Sequence, residues 1–423
     1  MNKPEILAPA GDLEKLKFAI EYGADAVYAG GSSFGLRAYA GNLKEEELRL
    51  GVEYTHQHRR KIYITVNIFA HEQDFPALIP YLEFLREIEV DGIIVSDPGV
   101  LAVVRQETPE LAVHLSTQAN CTNSQSANFW FAQGVTRVVL ARELTLEEIK
   151  SLQAKAKGEL EIFIHGAMCM SYSGRCLLSN YLTGRDANRG ECTHPCRWGY
   201  ALVEEKRPGQ YFALEEDARG SYIFNSHDLC LLPHLPLLKG LNIASYKIEG
   251  RMKSAYYVAS TVKVYREAVD TLWEQGEEAF KKKLPEWLKE MNKVSHRDYS
   301  TGFLFGKPGA EAHNIETSNY IREYTFIAKV LPGEPIQPSN LKGCQGREEL
   351  PAHCFLIEQR NNFRVGEEVE VLAPAEAPWT FEVKALWDLE GNPVEVARHP
   401  QQKLRIATPK PLKPFSILRK ARQ

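Results

Sequence analysis

The chain has 423 residues, of which 44% are hydrophobic and 25% are charged, and its formal net charge is −4. This length can bury the cores of two or three domains, and no apolar run approaches the ~20 residues that cross a bilayer. A net charge near zero excludes a global attraction to nucleic acid, and the opening MNKPEILAPAG has no apolar stretch long enough for a signal peptide, so we expect a cytoplasmic enzyme.

Apolar β-like runs alternate with amphipathic helical segments through the first 276 residues. Short runs of Val, Ile and Leu, each followed by a helix, are typical of parallel strands covered by crossover helices. The eight predicted strands are Glu5–Ala8, Asp25–Ala29, Ile62–Val66, Gly92–Val95, Val113–Ser116, Arg137–Leu140, Leu160–Ile164 and Ser245–Ile248. Eight such units predict a closed (β/α)8 TIM-like barrel over residues 1–276. The alternative is a doubly wound open sheet, but no GxGxxG follows any strand.

The connection between the seventh and eighth strands, residues 166–244, is much longer than the others and opens with a cysteine cluster. Four of the eight cysteines fall within 28 residues, and they are Cys169, Cys176, Cys192 and Cys196. Converging thiolates bind soft metals, so the cluster predicts an iron–sulfur centre, a structural zinc or redox-active thiols. The wide, irregular spacing favours iron–sulfur over zinc, which prefers knuckles with about two to four intervening residues. Because βα loops gather at the C-terminal face of a barrel, we expect this centre at the barrel mouth.

Cys230, in SHDLCLLPHLPLL, lies on a predicted helix. It either replaces Cys196 as fourth ligand or is a buried apolar thiol. Cys121, Cys344 and Cys354 stand alone in the sequence and are interpreted as packing residues. Disulfides are the remaining interpretation of the cluster, and the expected cytoplasmic location argues against them.

Beyond the barrel we predict a helical linker at 277–321 and a second domain at 322–423. The pattern there changes to short strands with turns, in YTFIAKVL, CFLIEQ, EEVEVLAP, WTFEVKAL and KLRIAT, which predicts a small C-terminal β-barrel. From 398 to 423 there are eight Lys and Arg residues and no acid. Such a tail is either a phosphate-binding surface or the solvated edge of a β domain.

Polar side chains follow the predicted strands and are the candidates for substrate contacts at the mouth. They are Arg37, Asn67, Asp97, Gln118, Arg142, His165, Lys247, Glu249 and Arg251. Several Arg and Lys residues at one mouth suit a carboxylate or phosphate ligand, because Arg offers bidentate charge-assisted bonds. The alternative is internal ion pairing, for example of Arg142 or Lys247 with Glu249. His165 is interpreted as a base, a ligand or a packed imidazole.

Three blocks of the sequence resemble the collagenase-like peptidase family U-32. They are ILAPAG with GADAVYAGG, the segment EIFIHGAMCMSYSGRCLLSNYLTGR, and SYKIEGRMKSAYYVA. These blocks span residues 5 to about 265, and the terminal β segment is similar to the C-terminal domain of that family. Within the family, the chain length, the GECTHPCRW block and the appended β domain look most like a subgroup that hydroxylates the wobble uridine of certain tRNAs.

The resemblance implies a 4Fe–4S cluster, tRNA as partner and prephenate as a small anionic co-substrate; a paralogous partner chain is compatible with it. The implied cluster ligands are Cys169, Cys176, Cys192 and Cys196. From their positions after the predicted strands we predict catalytic roles for Arg142, His165 and Lys247. The predicted substrate-binding residues are Arg37, Asn67, Gln118, Glu249 and Arg251. The alternatives are a peptidase, as the family name suggests, and a zinc-stabilised RNA-binding or assembly protein, although no G-x-S-x-G or H-E-x-x-H motif supports a hydrolase.

Overall fold

The first part of the computed structural model is a sheet of parallel strands that closes into a barrel. The structure describes residues 2–35, 42–168, 176–185, 187, 191–195, 198, 201–203, 211–213, 227–306, 321–333, 335–336, 341 and 353–422. The first seven strands are β1 (Glu5–Ala10), β2 (Ala26–Gly30), β3 (Lys61–Val66), β4 (Gly92–Val95), β5 (Val113–Leu115), β6 (Arg137–Val139) and β7 (Glu159–Ala167). Each pairs in parallel with the next, and their apolar runs are buried, as expected for strands covered by helices.

Amphipathic helices follow these strands and cover the outside of the barrel. They are α1 (Leu13–Glu21), α2 (Glu45–Gln57), α3 (Phe75–Glu87), α4 (Pro98–Glu107), α5 (Ser124–Ala132) and α6 (Leu146–Gln153). Side chains that accept bonds from the first turn determine where helices begin; Asp12 accepts from Lys15 N at 2.8 Å, for example. The buried helix faces and the outer strand faces form one hydrophobic cluster. Within the described part of the chain, no helix is both long and apolar enough to cross a membrane.

The long connection after β7 contributes further short elements. They are α7 (Leu178–Thr183), β8 (Ala201–Val203), β9 (Tyr211–Ala213), β10 (Asp228–Cys230) and α8 (Leu235–Lys239). β10 pairs antiparallel with the end of β7, and Cys230 lies opposite His165. The prediction that Cys230 lies on a helix is therefore wrong. Because β7 is longer than its barrel neighbours, its end has backbone groups that need partners, and β10 supplies them.

The strand β11 (Ser245–Ile248) closes the barrel. It pairs in parallel with β7 on one side and with β1 on the other, so that Lys247 lies between Phe163 and Leu7. The helix α9 (Ala255–Glu274) follows, and its start is capped by Ser254, whose Oγ accepts from Tyr257 N at 3.2 Å. The predicted eight-stranded (β/α) barrel is confirmed.

A second domain of antiparallel strands follows α10 (Glu277–Asn292) and β12 (Tyr299–Ser300). Its strands are β13 (Tyr324–Val330), β14 (His353–Gln359), β15 (Phe363–Arg364), β16 (Glu368–Leu372), β17 (Trp379–Glu382), β18 (Leu386–Trp387), β19 (Pro393–Val394), β20 (Val396–Ala397), β21 (Lys403–Thr408) and β22 (Ile417–Ala421). Eight of them form one sheet in the order β17-β16-β22-β13-β14-β21-β18-β19, over a separate hydrophobic cluster. A separate antiparallel β domain is thereby confirmed, whereas the pairings of the described residues do not show its closure into a barrel.

The two domains meet across a buried ionic cluster, which we call the interface cluster: Arg419, Lys293, Glu290, Glu370 and Tyr256. Arg419 is fully buried, and its Nη2 and Nε donate to Glu290 Oε2 at 2.7 Å and to Glu370 Oε1 at 2.6 Å. Lys293 Nζ donates to Glu370 Oε1 at 2.8 Å. Burial opposes ionisation of Glu370, but Arg419 and Lys293 hold its pKa below the ordinary value.

Three of the eight basic residues of the tail pair with carboxylates. Arg419 is neutralised inside the interface cluster, and Lys413 and Lys420 pair with carboxylates at 2.8 Å. Arg422 is exposed, and its Nε donates to Thr325 Oγ1 at 3.2 Å. For Lys413, Arg419 and Lys420 the sequence pattern overstated the free charge, because their carboxylate partners lie elsewhere in the chain.

Candidate active site at the barrel mouth

The ends of β3, β4 and β5 bring amide and hydroxyl side chains together at the mouth. Asn67 Nδ2 donates to Ser116 Oγ at 3.1 Å and to Gln118 Oε1 at 3.2 Å. Ser96 Oγ donates to the Asn67 carbonyl at 3.0 Å. The structure thus brings the predicted residues Asn67 and Gln118 into one polar cluster, in which Ser96 and Ser116 were missed because a serine at a strand end carries no distinct signal. Asp97 instead caps α4 by accepting from its first backbone N–H groups.

Arg251 follows β11 and is buried at the same end of the barrel. Its Nη2 donates to Asn42 Oδ1 at 2.8 Å, and its Nη1 donates to Thr65 Oγ1 at 3.4 Å. A Cβ at Gly30 would lie 2.2 Å from Nη2, so only glycine leaves room for this guanidinium. Arg37, also a predicted substrate-binding residue, lies outside the described residues.

Glu249 lies between β2 and the end of β7. Tyr28 Oη donates to Glu249 Oε2 at 3.1 Å, and Tyr257 Oη donates to the Glu249 carbonyl at 3.1 Å. Gly166 has φ +107°, and a Cβ there would lie 2.5 Å from the Glu249 carbonyl oxygen. Both conformation and space therefore require glycine at this position. The close approach holds the chain that leads to Cys169 against the Glu249 backbone.

Arg142 connects the end of β6 to the end of β7. Its Nη1 donates to the Ala167 carbonyl at 2.6 Å, and its guanidinium lies 3.9 Å from the centroid of the Phe163 ring. Ala167 is two residues before Cys169, so Arg142 positions the backbone from which the cysteine segment starts. A catalytic role for Arg142 stays a prediction.

Lys247 lies inside the barrel and pairs with Glu161, which sequence reasoning missed. Lys247 Nζ donates to Glu161 Oε1 at 2.8 Å and lies 4.5 Å from the centroid of the Tyr28 ring. We call Lys247, Glu161, Arg137 and Glu5 the barrel cluster, because Arg137 contacts Glu161 at 3.4 Å and Glu5 at 2.7 Å. Burial opposes ionisation of Glu161, but Lys247 and Arg137 hold its pKa below the ordinary value. A lone acid within the apolar run LEIFI was the signal that could have revealed this pair.

His165 faces the outer helix rather than the open mouth. Its ring packs against the rings of Tyr257, Tyr265 and Tyr299. The residue is 1% exposed, its Nδ1 lies 3.4 Å from Tyr265 Oη, and its Nε2 has no hydrogen-bond partner in the described part of the chain. Burial, together with Lys253 and His296 nearby, lowers the pKa of His165 to about 3. Of the three interpretations of His165, the geometry matches the packed imidazole.

Two of the four predicted cluster ligands, Cys176 and Cys192, lie in the described residues, whereas Cys169 and Cys196 lie outside them. Neither described thiol is part of a disulfide, and both residues are partly exposed. Partial exposure and freedom from disulfides are properties that a metal-binding thiol needs. With half of the predicted set undescribed, the described residues alone contain no group of three or more metal-binding side chains.

Hydroxyl groups tie together the chain segments that carry these two thiols. Thr193 N donates to Ser179 Oγ at 3.1 Å, and the hydroxyl oxygens of Ser179 and Thr193 lie 3.2 Å apart. Ser179 belongs to α7, which begins two residues after Cys176, and Thr193 directly follows Cys192. Backbone near Cys192 is held locally as well, since His194 N donates to Cys192 Sγ at 3.4 Å.

Cys230 has the surroundings of a structural thiol. It is buried beneath α9, and its Sγ lies 3.8 Å from Tyr265 Oη. Burial raises the pKa of the Cys230 thiol to about 11, whereas metal ligands are thiolates. The geometry therefore favours the buried apolar thiol over a fourth ligand.

A cavity of about 510 Å³ opens beside the mouth, between the barrel and the β domain. On the barrel side it is lined by Ala167, Glu249 and His194, and on the other side by Tyr324, Phe326 and Arg422. It therefore connects the predicted residue Glu249 and the cysteine segment to the second domain. Sequence reasoning missed this cavity because it exists only where the two domains meet.

Comparison with known families covers both domains. Peptidase family U32 matches residues 11–314, and the Peptidase family U32 C-terminal domain matches residues 344–419. The first match contains the whole barrel from α1 onward, and the second contains most of the β domain.

Similar curated proteins carry names that refer to RNA hydroxylation. The chain is 41% identical to tRNA hydroxylation protein P1 of Bacillus subtilis, with 100% of this chain and 96% of that protein covered. It is 35% identical to tRNA hydroxylation protein P of Escherichia coli, with 94% and 92% covered. It is also 35% identical to the 23S rRNA 5-hydroxycytidine C2501 synthase of Escherichia coli, but only over 65% of this chain and 40% of that protein. By its barrel, its β domain and these matches, the chain belongs to peptidase family U32.

Proposed function

We propose that this chain is a tRNA-modifying enzyme that hydroxylates carbon 5 of the wobble uridine. The observation that carries the proposal is the 41% identity, over the full chain, to a protein named for tRNA hydroxylation. The similarity to a 5-hydroxycytidine synthase supports the same carbon of a pyrimidine ring as the site of attack. The wobble position is the part that the resemblance to the tRNA-hydroxylating subgroup implies. A tRNA substrate would place the enzyme in the cytoplasm.

A 4Fe–4S cluster is part of this proposal, with Cys169, Cys176, Cys192 and Cys196 as ligands. Cys176 and Cys192 fit such a role because neither is in a disulfide and both are partly exposed. The cluster, when bound, would supply one-electron redox chemistry. Arg142 and Glu249 support the site from the protein side, since both hold the end of β7 just before the first ligand.

Prephenate is proposed as an anionic co-substrate at the mouth. Arg251 is the best-supported cation for one of its carboxylates, because the guanidinium is buried and oriented by Asn42 and Thr65. Asn67 and Gln118 would add amide groups from the opposite strands. Lys247 is less suited, since its charge already pairs with Glu161 inside the barrel.

The target uridine has to leave its base stack to reach this mouth. A base inside a helical stack exposes only its edges, so enzymes that act on a base take it out or use single-stranded loops. The anticodon loop is single-stranded, which makes its bases the accessible ones in tRNA.

Peptidase activity, which the family name suggests, receives no support from the described geometry. His165 was the candidate base, and it is buried against three tyrosines where no peptide bond reaches. Burial lowers the pKa of His165, whereas a carboxylate that oriented the ring as in a catalytic triad would raise it.

The proposal is tested by purifying the full chain without oxygen and analysing its metal content and its product. We expect a brown protein with equal amounts of iron and sulfide. We also expect tRNA from cells that express this chain as their only such enzyme to contain 5-hydroxyuridine by mass spectrometry. Cys192→Ala should abolish both iron and product, because three remaining thiolates hold a cluster poorly.

Cys230→Ala is the matched control, since it removes a thiol that the structure buries away from the mouth. Its iron content should stay near that of the wild type. A colourless protein with stoichiometric zinc would contradict the cluster and favour the zinc-stabilised alternative. Loss of iron in Cys230→Ala together with retention in Cys196→Ala would overturn the ligand assignment.

A further inference from the structure

The cavity between the domains combines cationic and aromatic side chains. Among the lining residues that the structure describes, Lys253, Arg322 and Arg422 are basic and Glu249 is the acid. Arg322 and Arg422 are exposed at the rim on the β-domain side, whereas Glu249 is buried at the barrel side. The rim therefore presents positive charge to solvent and suits an anionic ligand.

Aromatic rings stand next to these cations. Tyr324 and Phe326, on β13, line the cavity and are partly exposed. Arg419 and Lys293 of the interface cluster lie 5.4 Å and 4.9 Å from the Tyr324 ring centroid, which holds the ring in place. Basic groups interleaved with aromatic rings are the combination that binds single-stranded nucleic acid, because phosphates meet the cations and bases stack on the rings.

Arg422 lies where this cavity meets a second one. The second cavity has a volume of about 980 Å³ and runs along the β domain, and Tyr324, Thr325 and Arg422 line both. Lys420 and Arg364 line the second cavity, but Glu367 pairs with Lys420 at 2.8 Å. Glu368 and Glu370 also line the second cavity, so its charges are mixed. Arg422 donates to the Thr325 hydroxyl and has no carboxylate partner among the described residues, so it carries positive charge at the point where the two cavities meet.

The size of the first cavity limits what it can hold. At about 510 Å³ it falls within the range of about 300–1,000 Å³ that is usual for small-molecule pockets. A nucleotide fits such a space, whereas an RNA duplex is far too wide. The inner end reaches Ala167, which precedes the cysteine segment, and His194, which lies within it between Cys192 and Cys196.

We propose that this first cavity, which we call the cleft, binds the nucleotide next to the target base, so that the target base itself reaches the barrel mouth. The phosphate would contact Arg322 and Arg422, and the base would stack on Tyr324. This inference rests on the proposed RNA-modifying function and adds to it a recognition site formed by both domains. Because the interface cluster holds Tyr324 at a set distance from the mouth, a nucleotide bound at Tyr324 would position the adjacent, reacting nucleotide at the mouth.

The test measures binding of a tRNA transcript to the full chain as a function of salt. Arg322→Ala combined with Arg422→Ala should weaken binding about tenfold or more at low salt. The slope of log affinity against log salt should become shallower by about 1.5, because each phosphate contact contributes about 0.7–0.9. The corresponding double change to lysine should keep most of the affinity and the slope.

The matched control is Lys282→Ala with Lys283→Ala, which removes the same charge from exposed positions on α10 that do not line the cavity. Its affinity and salt slope should equal those of the wild type. An equal loss in control and cleft variants would overturn the proposal, because the effect would then be general electrostatics. Unchanged binding in the cleft variant would overturn it as well.

A second pair of variants tests stacking separately from charge. Tyr324→Leu should weaken binding of an anticodon stem–loop about tenfold, whereas Tyr324→Phe, which keeps the ring, should bind as the wild type does. Equal melting temperatures confirm that both variants are folded. A blunt duplex should not compete with the stem–loop; effective competition by the duplex would contradict a nucleotide-sized site.

The outcomes also separate this inference from the proposed function. If the wild-type chain forms 5-hydroxyuridine and the cleft variants bind and react normally, the proposed nucleotide site in the cleft is wrong but the proposed reaction stands. A wild-type chain that binds tRNA through the cleft residues but forms no product would support the cleft and contradict the proposed reaction. No tRNA binding by the wild type would overturn both.

Discussion

The inside of the barrel and the interface between the domains each bury an arginine and a lysine among carboxylates. In the barrel cluster, Arg137 and Lys247 neutralise Glu161, which is completely buried. In the interface cluster, Arg419 and Lys293 neutralise Glu370 in the same way. The two clusters have similar chemistry, and both hold the pKa of a buried carboxyl below its ordinary value.

The two clusters differ in the parts of the molecule that they connect. The partners of the barrel cluster come from β1, β6, β7 and β11, which are all strands of one barrel. Those of the interface cluster come from α9, α10 and the loop after α10, and from β16 and β22 in the other domain. Breaking the first should therefore weaken the barrel itself, whereas breaking the second should loosen the docking of two folded domains. Basic residues that resemble anion ligands in the sequence serve the fold in both places.

The largest effect is expected from Lys247→Ala. It leaves Glu161 charged and buried with less compensation, which typically costs about 3–5 kcal/mol. The barrel should melt at a markedly lower temperature. Replacing both partners, with Glu161→Gln and Lys247→Met, should recover much of this loss, because the uncompensated charge disappears. Normal melting of Lys247→Ala with loss of activity would instead assign Lys247 to the substrate.

Arg419→Met should have a smaller effect, about 2–3 kcal/mol, because the Glu290 and Glu370 side chains are 12% exposed whereas that of Glu161 is 0% exposed. We expect faster hydrogen exchange in α10 and β22 with little change in the barrel strands and in iron content. Lys420→Met is the control, since it removes a partly exposed charge on the same strand and should cost no more than about 1 kcal/mol. Faster exchange throughout the barrel would contradict the separation of the two regions.

Acid should weaken the barrel before it weakens the interface. Burial lowers the pKa values of His114 and His165 to about 3, so both are neutral in the folded barrel and take up protons on unfolding. Their contribution is complete above about pH 6.5 and is lost as the pH falls toward 3, by up to about 1.4 kcal/mol per pH unit for each histidine. Glu370, whose pKa is lowered, adds a loss only at lower pH, below the ordinary carboxyl range.

Domain-resolved hydrogen exchange between about pH 6.5 and 5 measures this order of events. Barrel strands should lose protection over this range while β22 keeps it. His165→Phe removes one of the two titrating groups and should reduce the pH dependence of barrel stability. An unchanged pH dependence in this variant would show that His165 does not titrate as its burial implies.

The smallest effect is expected from Tyr22→Phe at the edge of the interface. Tyr22 Oη donates to the Leu372 carbonyl at 2.8 Å and to the Phe415 carbonyl at 3.0 Å, so it joins α1's end to the β domain. Losing these bonds while keeping the ring should cost about 1 kcal/mol. Chemical denaturation followed in the β domain measures it, and a loss as large as that of Arg419→Met would show that the interface cluster is not the main contact.

Much of the barrel was predictable because its signals are local. All eight predicted strands form, since runs such as IYITV and GIIV specify a doubly buried strand wherever they occur. In the β domain, β22 was missed because ILRKA mixes apolar and basic residues, and its Arg419 is buried only through partners on α10 and β16. The prediction of a helix at Cys230 was wrong for a related reason. These residues form a strand because they pair with the end of β7, which lies far away in the sequence.

The sequence by itself determined the order of strands, the polar residues at their ends and the spacing of the cysteines. Only the tertiary structure decided which basic side chain pairs with which carboxylate. Lys247 pairs with Glu161, 86 residues away, and His165 turns to three tyrosines rather than to the mouth. The physical reason is that burial and hydrogen bonding act over a few ångströms in space, and sequence spacing determines such distances only within one helix or strand.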